Sequence, residues 1–292
     1  MEKVFDSKLL TSFLSDSSLQ EYSNMKIGKR VHYLFTPKTV SDLSDIIVQT
    51  NLADLEILPI GGCSNMLFGN VGNRVIISDR YLPHIYTVNG NEVVVSSNYK
   101  IVDFMEEMKK YDLGGLEFLS GIPAHLGGIT HMNAGAFDKT ISLFIKWVEV
   151  INNKGDLQKI TASEIDFRYR RTSVDDFIVN VCFELESKTK QQITSDMNEI
   201  LNIRRERHPL EYPSLGSTFR NPEGHFAGLL IRDCGLAGKQ IGGAQISDKH
   251  SNFIVNRGNA EFSDVIQLIE LAKKEVKSKY GIDLKLEIKV IN

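Results

Sequence analysis

The spacing of the apolar residues changes many times along this chain, and this constrains the fold more than any other feature. Apolar residues are continuous or alternate in 55–60, 74–78 and 177–185, which predicts strands. They recur at every third or fourth position in 100–112 and 261–281, which predicts helices. Because both kinds of segment are interspersed, strands and helices must mix, and the pattern alone leaves α/β and α+β architectures open.

Turn and cap residues set the limits of other predicted elements. A Thr/Ser start predicts a helix over 39–51, and Pro209 predicts the end of a second helix. A glycine turn within 147–161 predicts a hairpin, and the run 30–37 predicts a strand. Apolar residues alternate with charged ones over 283–291, which predicts a half-buried strand at the end of the chain.

The composition narrows the classes of function. The net charge of −3 argues against a general nucleic-acid binder, because no basic surface follows from it. The three cysteines are far apart and lack metal-type spacing, which fits a reducing compartment. Residues 1–18 have no basic start followed by an apolar run, and no apolar run reaches the length of a membrane span. We expect a cytoplasmic protein with no nucleic-acid partner and no membrane segment.

A glycine pair, Gly61–Gly62, follows the first predicted strand, and Ser64 and Asn65 come shortly after it. Glycines let backbone N–H groups approach a phosphate closely, and the serine and asparagine add neutral donors. The spacing matches neither G-x-G-x-x-G nor a Gly-Lys-Ser/Thr phosphate loop. These residues therefore indicate either a phosphate-binding turn or a tight turn with a locally bonded asparagine.

The segment 121–137, GIPAHLGGITHMNAGAF, is long, uncharged and rich in glycine and alanine. Small residues at this density let the backbone lie against a planar ligand and offer it main-chain hydrogen bonds, and a charge-free wall suits a small-molecule pocket. The alternative is a glycine-rich connection between core elements. His125 and His131 lack neighbouring carboxylates or cysteines, so we expect no metal site here.

Three further segments carry hydroxyl or charged groups. Residues 166–173 place arginines around Tyr169, and residues 204–209 are also basic. Arginine side chains are suited to binding carboxylate or phosphate groups. The alternatives are a solvated loop for 166–173 and a helix end for 204–209. Ser217 follows a glycine and could be a nucleophile, a phosphate-loop hydroxyl, a proton donor or a turn residue. Glu287 shares the polar face of the last predicted strand with two lysines, where an exposed charge ladder is the alternative.

Taken in this order, the segments resemble the UDP-N-acetylenolpyruvoylglucosamine reductase family, flavoenzymes of peptidoglycan synthesis. The resemblance extends from about Val31 to the end of the chain, and its last third is the most specific part. The length is similar to that of the family's shorter type. The resemblance is carried by GGCSNML (61–67), GIPAHLGG (121–128), MNAGAF (132–137), FRYRRTS (167–173), YPSLGSTFRNPEGHFAGLLI (212–231), IGGAQISDKHSNFIVN (241–256) and LEIKVI (286–291).

The chain also departs from the family's pattern at a few positions. Lys29 stands where the family has glycine, and Arg168 replaces a glycine in the arginine segment. Ala124 and His125 stand where glycine and a small hydroxyl residue are usual. The residue types that the family uses for catalysis are all present.

The resemblance implies an α+β fold. A two-subdomain FAD-binding module of the vanillyl-alcohol-oxidase/PCMH-like type, which does not use a Rossmann fold, would be followed by a C-terminal α+β substrate-binding domain. We expect the FAD-binding subdomains at 1–82 and 83–195 and the substrate-binding domain at 196–292. The final strand, 283–291, would return toward the flavin site.

The activity implied by the resemblance is the NADPH-dependent, FAD-mediated reduction of UDP-N-acetylglucosamine enolpyruvate to UDP-N-acetylmuramate. In the family a hydride passes from NADPH to flavin N5 and then to the vinyl carbon of the enolpyruvyl ether. Arg170, together with Glu287, would stabilise the negative charge that builds up on the substrate carboxylate. Ser217 would then donate a proton to the adjacent carbon.

The resemblance also assigns the binding residues. The residues expected to bind FAD are Gly61, Gly62, Ser64, Asn65, Gly121, Ile122, Pro123, Gly127, Gly128, Asn133, Ala134 and Gly135. Those expected to bind the substrate are Tyr169, Arg207, Arg220 and Asn221. We expect a monomer with the sugar nucleotide and NADPH as its partners.

Two other functions remain open at the level of sequence. An FAD-dependent oxidase on the same scaffold would be favoured by a histidine tethered to the flavin, for which His125 and His131 are the candidates. A non-catalytic flavin or nucleotide binder would not require Arg170, Ser217 and Glu287 together, and their joint presence argues against it.

Overall fold

The computed structural model describes residues 13–14 and 16–292. Most of the segment 1–18, on which the expectation of no secretory signal rests, and the start of the first expected subdomain lie outside the described residues. The contacts divide the described chain into two compact units. The first unit comprises 13–14, 16–17, His32–Gly62 and Asn73–Leu201, and the second comprises Ser18–Val31, Cys63–Gly72 and Asn202–Asn292.

The secondary structure confirms that helices and strands are interspersed. The helices are α1 (Val40–Leu52), α2 (Ile101–Met108), α3 (Leu126–His131), α4 (Lys190–Arg207), α5 (Ala227–Asp233) and α6 (Phe262–Tyr280). The strands are β1 (Phe13–Leu14), β2 (Ser17–Ser18), β3 (Arg30–Val31), β4 (Leu34–Phe35), β5 (Ile57–Ile60), β6 (Met66–Phe68), β7 (Val75–Ser78), β8 (Tyr86–Asn89), β9 (Glu92–Ser96), β10 (Leu113–Gly114), β11 (Gly135–Ala136), β12 (Lys139–Thr140), β13 (Ile145–Ile151), β14 (Leu157–Thr161), β15 (Phe177–Glu184), β16 (Glu186–Ser187), β17 (Ser214–Ser217), β18 (Gln240–Ile241), β19 (Ala244–Ile246), β20 (Phe253–Asn256) and β21 (Lys289–Ile291).

The first unit contains two larger sheets. One has the strand order β1-β4-β7-β5, in which β4 and β5 run parallel to β7. The buried side of α1, with Leu43, Ile46 and Ile47, packs in the core of this sheet. The other sheet is antiparallel, with the order β14-β13-β15-β9-β8, and its core includes residues of α2 and α3. Because β5 and β7 are parallel neighbours, the residues that follow them meet at one edge of the first sheet.

The second unit is built around α6 and an antiparallel sheet with the order β17-β20-β19-β18. A parallel pair, β6 and β21, joins the segment 63–72 to the end of the chain, with Lys289 opposite Met66. Helix α6 begins at a capping box formed by Glu261 and Asp264 and ends at Gly281, whose φ of 71° is left-handed. The second unit therefore draws its residues from three distant parts of the sequence.

The predicted helices at 39–51, 100–112 and 261–281 are confirmed as α1, α2 and α6, and the hairpin within 147–161 is confirmed as β13–β14. The strand predicted over 30–37 is wrong in extent: it is divided into β3 and β4, because the two halves belong to different sheets.

The strand predicted over 283–291 is also too long, since only its end is the strand β21. The backbone of the preceding residues bonds instead to 218–220, through an isolated bridge between Phe219 and Leu286. That stretch is irregular, so no continuous ladder forms, although Leu284 and Ile288 are buried as the alternation predicts.

Candidate active site

The glycine pair Gly61–Gly62 lies directly after β5 and packs against the start of the segment 121–137. A Cβ atom on Gly62 would lie 3.2 Å from the backbone nitrogen of His125 and 3.4 Å from the Cα of Ala124. A Cβ atom on Gly61 would lie 3.3 Å from the Asp79 carboxylate. A side chain at either position would therefore be crowded by the close approach of the two segments, which favours glycine here. The first unit thus brings together two of the segments that the sequence predicts to bind FAD.

Asp79 and His125 form a buried pair beside these glycines. Asp79 follows β7, and Nδ1 of His125 lies 3.2 Å and 3.3 Å from its two carboxylate oxygens. The side chain of Asn98 holds the same turn from the other side, donating to the backbone oxygens of Asp79 at 3.2 Å and Leu82 at 2.7 Å. This arrangement fixes the end of the sheet against the segment that contains Ala124.

The segment 121–137 is not wholly extended, because it contains α3. The amide of Gly127 donates to the backbone oxygen of Ser97 at 2.7 Å, and a Cβ there would lie 2.8 Å from the Cβ of Ser97. A Cβ on Gly128 would have no atom within 4 Å among the described residues. Gly127 is therefore required by packing, whereas the face of Gly128 is open to a ligand.

The end of α3 is tied to the arginine segment by Asn133, which is buried and has a left-handed φ of 41°. Its side-chain nitrogen donates to the backbone oxygen of Arg168 at 3.0 Å, and its side-chain oxygen accepts from the amide of Ser142 at 3.3 Å. Both ends of this amide bond within the protein, which fixes the orientation of the Asn133 side chain.

The three arginines of 166–173 have different environments. Arg168 and Arg171 form an isolated bridge that closes a tight turn, and Arg168 pairs with Asp166 at 2.6 Å on the surface. Arg170 is half-buried, has a left-handed φ of 59°, and donates from Nη1 to the backbone oxygen of Gly135 at 2.9 Å. Its guanidinium lies 5.0 Å from the ring centroid of the exposed Tyr169. Of the three, Arg170 is thus the one whose guanidinium bonds to the predicted flavin segment.

In the second unit, Ser217 is the last residue of β17. Gly216 before it has a φ of 74°, and the pairing of β17 with β20 shifts register between Ser214 and Ser217. A Cβ on Gly216 would meet no atom within 4 Å of the described chain, so this glycine is required by its backbone conformation. The irregularity sets the direction in which the half-buried Ser217 leaves the sheet.

Buried Asn252 fixes the residues just after Ser217. Its side-chain oxygen accepts from the amide of Phe219 at 2.9 Å, and its side-chain nitrogen donates to the Phe219 carbonyl at 2.8 Å. Its own backbone oxygen accepts from the amide of Thr218 at 2.7 Å. The position of Ser217 therefore depends on a residue in the turn before β20.

Glu287 lies alongside the same stretch. Its amide donates to the Thr218 carbonyl at 2.9 Å, while its carbonyl accepts from the side chain of Asn65 at 3.1 Å. The Asn65 carbonyl in turn accepts from the amide of Lys289 at 2.8 Å. Three segments that are distant in sequence, containing Asn65, Ser217 and Glu287, thus meet within the second unit, and Ser64 precedes Asn65 there.

The remaining residues predicted to bind the substrate show mixed environments. Arg220 is half-buried, and its Nε atom is buried with no hydrogen-bond partner in the described part of the protein. The Asn221 side chain accepts from the amide of Ala227 at 3.0 Å and so caps α5. Arg207 is exposed at the end of α4. In the described chain, no hydrogen bond connects Arg207 with Ser217.

Two histidines lie close together near the end of α4. The rings of His208 and His250 are 5.5 Å apart, and both pack on Phe253. Burial, reinforced by nearby Arg204, lowers the pKa of His208 from 6.5 to about 4. Burial also lowers the pKa of His250. Both rings are therefore held in an environment that favours their neutral form.

Comparison with known protein families gives matches to both the N-terminal and the C-terminal part of this chain. The family model "FAD binding domain" matches residues 31–161, and the model "UDP-N-acetylenolpyruvoylglucosamine reductase, C-terminal domain" matches residues 208–291. The UDP-N-acetylenolpyruvoylglucosamine reductase of Lactobacillus acidophilus is 39% identical over 278 residues, 94% of this chain and 93% of the relative. That of Clostridium botulinum strain 657 is 37% identical over 282 residues, 95% of this chain and 92% of the relative. The chain belongs to the UDP-N-acetylenolpyruvoylglucosamine reductase family.

A solved structure of the same reductase family agrees with this assignment. The UDP-N-acetylenolpyruvylglucosamine reductase of Thermus caldophilus superposes with a TM-score of 0.81 at 28% identity, and the match covers 94% of this chain and 98% of that one. The α+β fold predicted for the reductase family, an FAD-binding module followed by a C-terminal domain, is thereby confirmed.

The first unit fits the FAD that its family model implies. The side-chain oxygens of Ser97, Asn98 and Thr130 are buried and have no hydrogen-bond partner in the described residues, although buried polar groups normally have one. Ser97 lies against Gly127 and Thr130 lies within α3, the helix in which Gly128 has open space in front of it. Close glycine backbones with unused polar groups beside them are what a cofactor with phosphate and hydroxyl groups requires.

Sequence reasoning missed several residues that hold the predicted site segments in place. Asp79 follows an apolar strand in the same way as Gly61, and the rule that ligands bind beyond the carboxyl ends of parallel strands could have identified it. Asn98 and Asn252 carry no such signal, because their partners are residues 16 to 33 positions away.

No helix in the described part of the chain combines the length and the apolar character that crossing a membrane requires. Ring nitrogen Nδ1 of His125 is bonded to Asp79, and that of His131 lies 3.0 Å from the Val174 carbonyl. The individual site residues assigned from the sequence stay predictions.

Proposed function

We propose that this protein catalyses the NADPH-dependent reduction of UDP-N-acetylglucosamine enolpyruvate to UDP-N-acetylmuramate, a step of peptidoglycan synthesis. The relatives that match over nearly the whole chain carry the name of this reductase, which supports the proposal. FAD, when bound, supplies the redox chemistry that connects the nicotinamide to the enolpyruvyl group. We further propose that the protein acts as a monomer in the cytoplasm.

The residues Gly61, Gly62, Gly127 and Gly128 would hold the cofactor through their backbone. The close packing of Gly61 and Gly62 against 124–125 and the open space in front of Gly128 support this. Gly121, Ile122, Pro123, Ala134 and Gly135 would line the same site.

Arg170 would stabilise the negative charge that develops on the substrate carboxylate during reduction. Its guanidinium is planar, always charged, and able to bind a carboxylate through two parallel hydrogen bonds. One nitrogen bonds to Gly135, which holds the side chain in a defined direction. Tyr169, Arg207, Arg220 and Asn221 would bind the nucleotide portion.

Ser217 would give a proton to the carbon next to the carboxylate. A hydroxyl is a weak acid, so this role requires a strongly basic enolate and an accurately placed donor. Glu287 would assist from the neighbouring segment, since a protonated carboxyl can donate a hydrogen bond to the developing charge.

The observation that carries this proposal is the hydrogen bond from the Glu287 amide to the Thr218 carbonyl. It places the residue that bears a carboxyl group alongside the residue next to Ser217, although the two are far apart in sequence. A non-catalytic nucleotide binder would have no use for a serine and a glutamate in this relation.

The test is an anaerobic absorbance experiment on the purified protein. We expect a flavin spectrum that NADPH bleaches and that UDP-N-acetylglucosamine enolpyruvate restores in the absence of oxygen. An oxidase would instead be reduced by an alcohol or amine and restored by oxygen, and a binder would show no turnover. Acid precipitation should release the flavin into the supernatant; flavin retained in the pellet would contradict the proposal and favour a tethered cofactor.

A further inference from the structure

Asp79 and His125 form a largely buried side-chain pair in the first unit that the proposed mechanism does not use. Their side chains are 6% and 14% exposed, and Nδ1 of the ring faces both carboxylate oxygens at 3.2 Å and 3.3 Å. Among the described residues, the carboxylate of Asp79 accepts hydrogen bonds from His125 alone. A buried carboxylate is costly unless it has a hydrogen-bond partner, and the ring of His125 provides one.

The turn that carries Asp79 is held rigidly. Asn98, which is 1% exposed, donates to the backbone oxygens of Asp79 and Leu82. The backbone of His125 forms an isolated bridge with Lys100, so the ring is fixed from its own side as well. Both partners of the pair are therefore positioned by the surrounding backbone, as an oriented donor requires.

The other edge of the His125 ring lies beside Gly62. The Cδ2 atom of His125 would be 3.3 Å from a Cβ on Gly62, and Cδ2 is bonded to Nε2 within the ring. In the described chain, Nε2 has no hydrogen-bond partner, whereas Nδ1 is occupied by Asp79. The side-chain oxygen of Asn98 is also buried and without a partner in this part of the structure. Nε2 of His125 and the side-chain oxygen of Asn98, which lie around the same turn, are thus both available to a ligand.

We propose that Asp79 orients the ring of His125 so that, when both ring nitrogens carry a proton, its Nε2–H group binds the pyrophosphate of FAD beside Gly62. This inference rests on the proposed function, which places the cofactor at these glycines. Backbone N–H groups alone would bind the pyrophosphate through neutral donors, while an imidazolium adds a charge-assisted hydrogen bond. His125 would then be a cofactor-binding residue and Asp79 the positioning residue behind it.

The experiment measures the dissociation constants of FAD and of riboflavin, which lacks the pyrophosphate, by flavin fluorescence on the apoprotein. A hydrogen bond to a charged group is lost in His125→Gln, so we expect the Kd of FAD to rise by about tenfold or more. The Kd of riboflavin should not change. Asp79→Asn should weaken FAD binding in the same selective way, because it removes the carboxylate that orients the ring.

His131→Gln is the matched control, since it makes the same substitution at the other end of α3. It should leave the ratio of the two dissociation constants as in the wild type. An unchanged FAD affinity in His125→Gln, or an equal loss for FAD and riboflavin, would overturn the proposal and assign the pair to packing. If His125→Gln does not fold, the same ratio in Asp79→Asn decides. Wild-type protein that binds no FAD would instead refute the proposed function itself.

Discussion

At the scale of single residues, backbone conformation distinguishes Arg170 from the two arginines around it. A left-handed φ is unfavourable for a residue with a Cβ atom and persists only where the surroundings enforce it. Here the bridge between Arg168 and Arg171 enforces it, and the result is that the guanidinium of Arg170 reaches Gly135. Ser217 is comparable, because its direction is set by the conformation of Gly216.

Arg170→Lys should lower kcat by about 10²-fold and raise KM much less. Lysine keeps the charge but loses the planar fork, so the interaction that is strongest in the transition state is the one removed. Steady-state kinetics of the reductase reaction provide the measurement. Arg168→Lys is the control and should leave kcat unchanged, since Arg168 pairs with Asp166 on the surface. An unchanged kcat in Arg170→Lys would assign the charge-stabilising role elsewhere.

Ser217→Ala should separate the two halves of the reaction. Reduction of the flavin by NADPH involves no substrate carbanion and should keep its wild-type rate. Reoxidation by the sugar nucleotide requires the proton, and general acid catalysis contributes about 10²–10⁴-fold, so this half should slow by that factor. Stopped-flow absorbance at saturating ligand measures each half separately. Equal slowing of both halves, or of neither, would show that Ser217 is not the proton donor.

At the scale of elements, the predicted site residues of the second unit lie at the ends of strands rather than at their centres. Strand β17 loses its regular pairing just before Ser217, and β21 begins just after Glu287. The irregular stretches between these points are held by side-chain bonds, above all those of Asn252. Regular strand pairing therefore provides the scaffold of the second unit, and a few buried polar side chains fix the irregular stretches between the strands.

Asn252→Ala should destabilise the fold and also displace Ser217. It leaves the buried N–H and C=O groups of Phe219 without partners, and each unsatisfied group costs about 1–3 kcal/mol. We expect the free energy of unfolding to fall by about 2 kcal/mol or more in urea denaturation, with reoxidation by the sugar nucleotide also slower. Asn198→Ala, on the exposed face of α4, is the control and should change neither quantity. Wild-type stability in Asn252→Ala would contradict this role for its side chain.

At the scale of the whole molecule, the two compact units are not consecutive in sequence. Segments 18–31 and 63–72 belong to the unit that contains the C-terminal residues, and the chain passes between the units several times. Side chains of the early segments bond within the second unit, as when Asn24 donates to the Ser214 carbonyl at 2.7 Å. The stability of the second unit therefore depends on residues from both ends of the chain.

The histidine pair in the second unit makes stability depend on pH. The pKa of His208 is lowered to about 4 by burial, while a histidine in the unfolded chain titrates near 6.5. Between these values the unfolded state binds more protons, so stability falls as the pH is lowered from about 6.5 to about 4. We expect the Tm of the wild type to decrease over this range and the decrease to be smaller in His208→Gln.

The exposed His225 offers the matched control for this experiment. Thermal unfolding followed by circular dichroism from pH 4 to pH 7 should give the same pH profile for His225→Gln as for the wild type. A profile of His208→Gln that is as steep as that of the wild type would refute the assignment of this pH dependence to His208.

The sequence by itself determined the helices, most strands and the family, since these depend on periodicity, caps and motifs that are local in the chain. It also identified Ser217, Arg170 and Glu287 as candidates by their motifs. Only the tertiary structure decided which atoms meet: Asn65 and Glu287 are 222 residues apart, and Asp79 pairs with His125 across two loops. The last predicted strand failed for the same reason, because its backbone partners lie at 218–220 and not beside it in sequence. Hydrogen bonds between distant segments depend on packing, which local patterns do not encode.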